Sequence, residues 1–262
     1  MWAYVSVFSV PKRCSKPSEC EDAYWVSPHG VSFGDVSERS LRVVVADGAS
    51  ESLLAGKWAR WLSANFGATT VAARSRLGFL RAYQVAAEGW SAEVERYVEE
   101  REQRGVPIQW FEESGLARGA FSTVIALDVT RAGPWRATAL GDSCVFQVRD
   151  ERVYFSFPLD DVDDFSNHPR LLPSRAADPE TVRRNVDICR GDWEPGDSFY
   201  VVTDALAAWF LRANSAAERP WEPLRDLGAA DFDLDFSSWV DLQRDQGVLR
   251  DDDTTLVRID LY

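Results

Sequence analysis

The segment LRVVVADGAS, residues 41–50, decides how this chain folds. Apart from Arg42, residues 41–46 are apolar and mostly branched, which predicts a strand buried on both faces. The strand runs into Asp47, and a carboxylate is costly to bury unless a cation or hydrogen-bond donors receive it. Gly48 has no side chain, so its backbone can approach a ligand closely. The alternative is that Asp47 is the N-cap of a following helix.

Length and composition indicate one domain that spans residues 1–262. Hydrophobic residues make up 45% of the chain, and 11 Trp and 14 Phe are enough for a sizeable core. The formal charge of −13 argues against nucleic-acid binding, since a phosphate backbone selects clustered Lys and Arg. An acidic chain remains suited to divalent cations and basic partners.

The cysteines and the N-terminus predict a cytoplasmic protein that is not bound to a membrane. Cys14, Cys20, Cys144 and Cys189 match no zinc-binding spacing and are too sparse for a disulfide scaffold. The first residues lack a basic region ahead of their apolar part and a cleavage site after it, so we interpret them as a strand. No apolar run reaches the eighteen or so residues of a membrane span.

Hydrophobic periodicity predicts alternating groups of strands and helices. Two neighbouring amphipathic helices are expected to form an antiparallel pair that lies on a sheet. In the first part of the chain we predict a strand at 2–10, a basic loop at 11–20, a short strand at 21–26, and a turn at 27–30 with 31–33 pairing back as a hairpin. Helices at 51–66 and 75–104 follow, then a connection at 105–119 and an antiparallel meander at 120–157. The last part has a surface flap at 158–187, a strand ending at 204 with a helix after it, helix and loop at 218–248, and a last strand at 254–262.

Four aspartates stand at the ends of predicted apolar strands: Asp47, Asp142, Asp204 and Asp252. Each could be an ordinary cap or turn residue, but strands that share a core can bring their ends to one place. The carboxylates would then repel one another unless a positive charge lay between them, and Arg250 is the one cation nearby in sequence. Oxygen ligands without His or Cys suit Mg²⁺ or Mn²⁺, and two such ions can activate a water and bind a phosphoryl group.

Six short motifs in a fixed order complete the pattern. They are Glu21-Asp22-Ala23, Val45-Ala46-Asp47-Gly48, Gly119-Ala120-Phe121-Ser122-Thr123, Leu140-Gly141-Asp142-Ser143, Val202-Thr203-Asp204 and Asp252-Asp253-Thr254-Thr255-Leu256-Val257. In this order the chain resembles the bacterial form of the metal-dependent protein phosphatase 2C family, over about residues 4–260. The resemblance implies an α/β sandwich of four layers, in which two antiparallel β-sheets are flanked by antiparallel helix pairs.

The resemblance also implies the residues of a metal site with two Mg²⁺ or Mn²⁺ ions and a third, weaker ion. Asp47 would bridge two ions, and Gly48 would offer its carbonyl to one of them. Asp204 and Asp252 would bind the other ion. The remaining implied residues are Asp142 for the third ion, with Asp204, and Glu21 and Asp22 for metal-bound waters.

The implied activity is that of a hydrolase acting on phosphoserine and phosphothreonine in proteins, in which a metal-bridging hydroxide attacks phosphorus. The implied partners are a phosphorylated protein and a serine/threonine kinase or its targets, which indicates a role in signalling. Many members carry an arginine that contacts the substrate phosphate, but Pro17 and Ser18 stand at its places here. Lys16 or Arg13 could replace it, although lysine lacks a bidentate fork.

Two alternatives remain open at this point. The missing arginine favours a catalytically weak or inactive domain that acts as a binding or regulatory module. A serine hydrolase is the other alternative, prompted by Ser143 in Gly141-Asp142-Ser143. That chemistry needs a base close to the serine, and His29 and His168 are the only histidines.

Overall fold

The computed structural model describes residues 2–27, 33–69, 71–166, 168–227 and 235–262. The strands are β1 (Ala3–Val10), β2 (Asp22–Ser27), β3 (Phe33–Val36), β4 (Ser40–Asp47), β5 (Phe121–Ser122), β6 (Val124–Thr130), β7 (Pro134–Leu140), β8 (Cys144–Arg149), β9 (Arg152–Phe157), β10 (Leu172–Pro173), β11 (Asp187–Asp192), β12 (Ser198–Val202) and β13 (Thr254–Leu261). The helices are α1 (Ala55–Ala68), α2 (Arg76–Gln103), α3 (Trp110–Arg118), α4 (Pro179–Asn185), α5 (Asp204–Ser215), α6 (Trp221–Asp226) and α7 (Phe236–Asp245). Short 3₁₀ turns lie at Pro17–Glu19, Ala72–Arg74 and Val162–Asp164.

Two large antiparallel sheets form the centre of the structure. The first sheet has the order β3-β1-β13-β12-β8-β9, and the second has the order β11-β7-β6-β4-β2. The strands β5 and β10 pair separately as a two-stranded ladder. The predicted fold class, an α/β arrangement of two antiparallel sheets with helices, is confirmed.

Three hydrophobic cores hold the layers together. The middle core lies between the sheets and is rich in valine, with Val5, Val43 and Val257 among its buried residues. A second core joins β4 and β6 to α1 and α2. The third joins β8, β12 and β13 to α5, α6 and α7, and there the rings of Phe146 and Phe210 stack with centroids 4.1 Å apart. Each sheet is therefore covered by the other sheet on one face and by helices on the opposite face.

Strand β4 is buried on both faces, as its sequence predicts. Leu41, Val43 and Val45 belong to the core between the sheets, whereas Val44 and Ala46 face α1 and α2. All five side chains are fully buried. The alternative in which Asp47 caps a helix is wrong, because α1 begins at Ala55 and its N-cap is Leu54.

The predicted meander at 120–157 is wrong at one connection. Strands β6 and β7 pair with each other, as do β8 and β9, but β7 belongs to the second sheet and β8 to the first. The chain crosses between the sheets at residues 141–143. Both strands turn alternate residues toward the core between the sheets, so their sequence pattern is the same whichever sheet they join.

Two smaller predictions also differ from the structure. Residues 105–119, predicted as a connection, contain helix α3. The predicted turn and hairpin at 27–33 lie partly outside the described residues, at 28–32. Phe33, which is described, pairs with Ser6 of β1 and not with β2. None of the helices in the described ranges is long and apolar enough to span a membrane.

Candidate active site

A cleft of about 480 Å³ lies where strands of both sheets end. It is lined by the four predicted aspartates, which are Asp47, Asp142, Asp204 and Asp252. Asp47 is the last residue of β4, Asp142 lies in the crossing from β7 to β8, and Asp204 opens α5 directly after β12. Asp252 comes two residues before β13. The fold therefore gathers four acids from distant parts of the chain at one place.

Gly48 also lines the cleft, and its lack of a side chain is a packing requirement. A Cβ atom there would lie 2.7 Å from the carbonyl carbon of Ala55 and 2.9 Å from the carbonyl oxygen of Glu21. Both neighbours are backbone atoms, so they cannot move aside easily. Glycine lets the turn after β4 pack directly against the start of α1 and the start of β2.

Asp22 and Asp47 face each other across the pairing of β2 with β4. Asp22 is buried, and its Oδ2 accepts a hydrogen bond from the Thr203 hydroxyl at 2.9 Å. Its Oδ1 is buried and has no hydrogen-bond partner in the described part of the chain. Burial raises the pKa of both carboxyls well above the ordinary value, and neighbouring carboxylates raise it further.

Asp142 is buried and also carries an oxygen, Oδ1, that lacks a partner among the residues described. Burial and the nearby Asp204 raise its pKa to about 7. The crossing that carries Asp142 is tight, since Gly141 has a φ of +118° and packs against Thr123. An unpartnered buried carboxylate oxygen is costly, so this side chain is poised for a cation or another donor.

Arg250 provides the cation at this site. Its guanidinium forms ion pairs with both Asp204 and Asp252, and the Asp252 Oδ2 lies 2.8 Å from Nη2. Burial raises the pKa of the Asp204 carboxyl, and the Arg250 charge opposes that shift. In the sequence Arg250 is recognisable only as a cation two residues before Asp252, and its contact with Asp204 comes from the fold.

The donor set at the cleft fits divalent cations. All of the candidate ligands are oxygens, two buried carboxylate oxygens lack partners, and the carboxyl groups repel one another. Within the ranges that the structure describes, no three Asp, Glu, His or Cys side chains are already arranged to hold a metal ion. Arg250 sits between two of the candidates, so ion binding at Asp204 and Asp252 requires its guanidinium to move aside.

Glu21 lies beside the cleft and does not line it. Its Oε2 accepts hydrogen bonds from the Lys12 ammonium at 2.8 Å and from the Ser50 hydroxyl. Lys12 therefore reaches the edge of the cleft, since its ammonium also lies 2.9 Å from the hydroxyl of Ser50, which lines the cleft. Glu51, a residue missed from sequence, lines the cleft directly after the turn that follows β4.

The three consecutive aspartates at 251–253 have separate partners. Asp252 lines the cleft, while Asp253 is buried and accepts hydrogen bonds from the Lys12 and Glu21 amides at 2.7 Å each. Asp251 is exposed and accepts the Arg13 amide at 3.0 Å. These contacts assign Asp252 as the cleft residue and Asp253 as the residue that ties the first loop to β13.

The two basic residues proposed for phosphate contact do not line the cleft. The Arg13 side chain turns to α7, where it pairs with Asp245 and donates to the Asp241 carbonyl at 3.2 Å. Lys16 is exposed and precedes the 3₁₀ turn at Pro17–Glu19. Among the lysines and arginines that the structure describes, Arg250 is the one that lines the cleft.

Residues of the predicted flap form one wall of the cleft. Ser166, His168, Pro169 and Leu171 line it from this segment. The serine-hydrolase alternative finds no support here, because Ser143 is buried and its hydroxyl lies 2.9 Å from the Thr123 hydroxyl and not beside an imidazole. His29, the other histidine considered for that chemistry, lies outside the described residues.

The sequence matches the model of the family described as Protein phosphatase 2C over residues 12–234. A comparison with curated proteins found no match. Among solved structures, the S. agalactiae serine/threonine phosphatase is 12% identical with a TM-score of 0.59, and 100% of each chain is covered. The Mycobacterium tuberculosis serine/threonine phosphatase PstP is 15% identical with a TM-score of 0.55, covering 100% of this chain and 99% of that chain.

A further solved structure is the catalytic domain of a serine/threonine phosphatase, PstP, in complex with two manganese ions. It is 13% identical, has a TM-score of 0.53 and covers 99% of each chain. At such identities the likeness shows the shared fold, whereas the family match extends over most of the 262 residues. This chain therefore belongs to the protein phosphatase 2C family, and its resemblance to the bacterial members is confirmed.

Proposed function

We propose that this protein is a metal-dependent phosphatase that hydrolyses phosphoserine and phosphothreonine in proteins. The proposal depends on one observation: four aspartates from separate strand ends line a single cleft of about 480 Å³. Their mutual repulsion and the unpartnered buried Oδ1 of Asp142 favour occupation by divalent cations. Phosphoryl transfer is catalysed mainly by positioning and charge neutralisation, which such a site supplies without a protein nucleophile.

The cofactors we propose are two Mg²⁺ or Mn²⁺ ions and a third, weaker one. The proposed ligands are the carboxylates of Asp47, Asp142, Asp204 and Asp252 and the carbonyl of Gly48. When bound, such ions lower the pKa of water and neutralise phosphoryl charge. Asp22 offers the buried Oδ1 as a hydrogen-bond acceptor for water at the site, and Glu21 has the same proposed role at the edge of the cleft.

Arg250 is our candidate for the cation that contacts the substrate phosphate. The arginine common in the family is missing at Pro17 and Ser18. Arg13 and Lys16 remain proposed as replacements for it, but neither side chain lines the cleft. Arg250 lines the cleft, and its side chain is 57% exposed, so the guanidinium can leave Asp204 and Asp252 and turn to a ligand. A guanidinium matches two phosphate oxygens with parallel hydrogen bonds.

We also propose a single domain in which residues 158–187 act as a flap beside the cleft, since Ser166 and His168 line it. The proposed partners are phosphorylated proteins and the kinase that modifies them, in a signalling role. The four cysteines are free thiols, which agrees with the proposed cytoplasmic location.

The test is hydrolysis of p-nitrophenyl phosphate and of a phosphothreonine peptide with Mn²⁺ or Mg²⁺. We expect activity that a chelator abolishes and that Asp47→Asn and Asp204→Asn reduce by at least 100-fold. Calorimetry with Mn²⁺ alone provides a second readout, in which each variant loses bound ions. Asp252→Asn and Asp251→Asn form a matched pair, and only the first should lower activity and ion binding.

The alternative function is a binding or regulatory module with little or no catalysis. It is favoured by one observation, the Arg250 guanidinium between Asp204 and Asp252 where an ion would bind. Mn²⁺ binding without hydrolysis of either substrate would support this module and contradict the proposed enzyme. Hydrolysis that survives chelation would contradict both.

A further inference from the structure

A second cavity, of about 360 Å³, lies on the second sheet away from the cleft. Arg74, Arg136 and Arg190 line it, together with Ile188 and Cys189. No acidic residue is among the lining side chains. Three arginines around one cavity contrast with the formal charge of −13 of the chain, because a net negative charge disfavours anions in general.

Strand register explains how the arginines meet. Arg42, Asp128, Arg136 and Arg190 are successive partners across β4, β6, β7 and β11. Directly paired residues point to the same face of a sheet, so these four side chains form one row. Arg74, from the 3₁₀ turn at Ala72–Arg74, reaches the same row.

The single acid in this row is already engaged. Asp128 is buried and accepts hydrogen bonds from two nitrogens of Arg42, and Arg42 Nη2 lies 3.0 Å from Asp128 Oδ2. Arg74 adds a longer contact of 3.5 Å to the same Oδ2. The side chains of Arg136 and Arg190 form no hydrogen bond or ion pair with any residue that the structure describes, and only their backbones pair in the ladder. Two guanidinium groups therefore face the cavity without a counter-charge.

The pairing of Arg136 with Arg190 is electrostatically unfavourable, although water weakens the effect because both side chains are exposed. Like charges directly opposite each other on neighbouring strands repel, and Arg136 and Arg190 are such a pair. The same planar groups carry donors that match the oxygens of a phosphate in pairs. An oxyanion between them would remove the repulsion and add charge-assisted hydrogen bonds.

We propose that the cavity lined by Arg74, Arg136 and Arg190 binds a phosphate-type oxyanion, either free or on a phosphorylated side chain. The site is separate from the cleft. Arg42 in the row and Asp47 in the cleft lie on β4 five residues apart, which is about 17 Å along a strand. The proposal does not depend on the phosphatase activity, since neither the aspartates of the cleft nor a metal ion takes part.

The test uses the metal-free full chain with a chelator present, so that the cleft cannot bind phosphate through an ion. Calorimetry at constant ionic strength measures binding of inorganic phosphate to the wild type and to the double variant Arg136→Gln/Arg190→Gln. We expect at least tenfold weaker binding in the double variant. Arg152→Gln is the matched control, because it removes the same charge from β9 at the edge of the other sheet and should leave binding unchanged.

Thermal unfolding without phosphate gives a readout of the repulsion itself. Arg190→Gln alone should raise the melting temperature by about 1–3 °C, because it removes one of two opposed charges. Added phosphate should raise the melting temperature of the wild type more than that of the double variant. A lower melting temperature in Arg190→Gln, or equal phosphate affinity in all variants, would overturn the proposal.

A phosphoserine peptide distinguishes the two sources of the anion. If the peptide binds and competes with inorganic phosphate, whereas its unphosphorylated form does not bind, the ligand is a phosphorylated side chain. If only inorganic phosphate binds, the ligand is the free ion. Binding of neither probe would refute the site.

Discussion

At the scale of single residues, Arg250 has two opposed effects on the cleft. Its single positive charge offsets part of the negative charge of Asp204 and Asp252, and its guanidinium occupies the space between them. An ion at these carboxylates must displace the guanidinium. The displaced side chain remains at the rim of the cleft, since Arg250 is only two residues from Asp252 in the chain.

Replacing Arg250 by alanine should therefore have two measurable consequences. The KM for p-nitrophenyl phosphate should rise by about 10- to 100-fold, because a charge-assisted hydrogen bond contributes about 1.5–3 kcal/mol. Mn²⁺ should bind more tightly by calorimetry, because Asp204 and Asp252 lose their competing cation. Arg250→Lys is the control, and we expect an intermediate KM since lysine keeps the charge without the fork. An unchanged KM in both variants would remove Arg250 from the substrate site.

His168 offers a second residue-scale prediction. It lines the cleft from the 158–187 segment, and Ala49 follows Gly48 where some family members have a histidine. An imidazole here can protonate a leaving serine or threonine oxygen. His168→Gln should lower kcat for a phosphoserine peptide by about 10²-fold but leave p-nitrophenyl phosphate nearly unaffected, because nitrophenolate leaves without protonation. Equal losses on both substrates would indicate a structural role.

At the scale of elements, a buried ion pair connects β8 to the loop between β11 and β12. Asp197, 1% exposed, precedes β12 and accepts two hydrogen bonds from Arg149 of β8, at 2.8 and 2.7 Å. Gln147 and the amide of Glu194 donate to it as well, at 2.7 and 2.9 Å. Although burial favours the neutral acid, these donors hold the pKa of Asp197 below its ordinary value of 3.8.

Asp197→Ala should lower the free energy of unfolding by about 1–3 kcal/mol, because Arg149, Gln147 and the Glu194 amide lose a buried acceptor while Arg149 keeps its ion pair with Glu194. The sign of the pH effect follows from the lowered pKa. The contribution of Asp197 is fully present above its unfolded-state pKa and is lost as the pH falls through the lower folded-state value. Urea unfolding from pH 7 to pH 3 measures this effect. The difference in the free energy of unfolding between wild type and variant should become smaller only below about pH 4. A gap that is independent of pH would contradict this account.

At the scale of the whole molecule, the packing of three cores separates the four thiols by reactivity. Cys14 is exposed, whereas Cys20 and Cys144 are buried and Cys189 is partly buried. Burial raises the pKa of Cys20 and of Cys189 to about 12 and also raises that of Cys144. Since the thiolate is the reactive form, these three should be inert in the folded protein.

The corresponding experiment is titration with a chromogenic thiol reagent at pH 8. One thiol should react quickly in the native protein and four in guanidinium chloride, because unfolding exposes the buried three. Cys14→Ser should abolish the fast reaction and leave three thiols on unfolding. Fast reaction of a second native thiol would mean that one of the cores opens more readily than its burial indicates.

Local sequence accounts for the secondary-structure elements and for the residues at their ends. Local apolar periodicity was sufficient to predict β4, most of α1 and α2, and β13. A buried strand or a buried helix face requires apolar residues at regular intervals, and these are visible in the local sequence. The four aspartates stand out in the sequence because each one ends or precedes such an apolar run. Their identity as cleft residues at 47, 142, 204 and 252 agrees with the structure, although ion binding by them stays a proposal.

Which distant groups come into contact depends on the packing of the whole chain. The alternation in β7 and β8 is the same for one sheet or two, so the crossing at residues 141–143 could not be predicted. Arg250 lies between two aspartates and His168 lines the cleft because of the conformation of loops. Loop conformation produces no periodic pattern in the sequence, so these positions could not be predicted. The arginine row depends on strand order and register, which bring Arg42 and Arg190 into one line although nearly 150 residues separate them. Local sequence encodes which residues are buried. The pairing of strands that are distant in sequence decides which charged side chains lie next to one another.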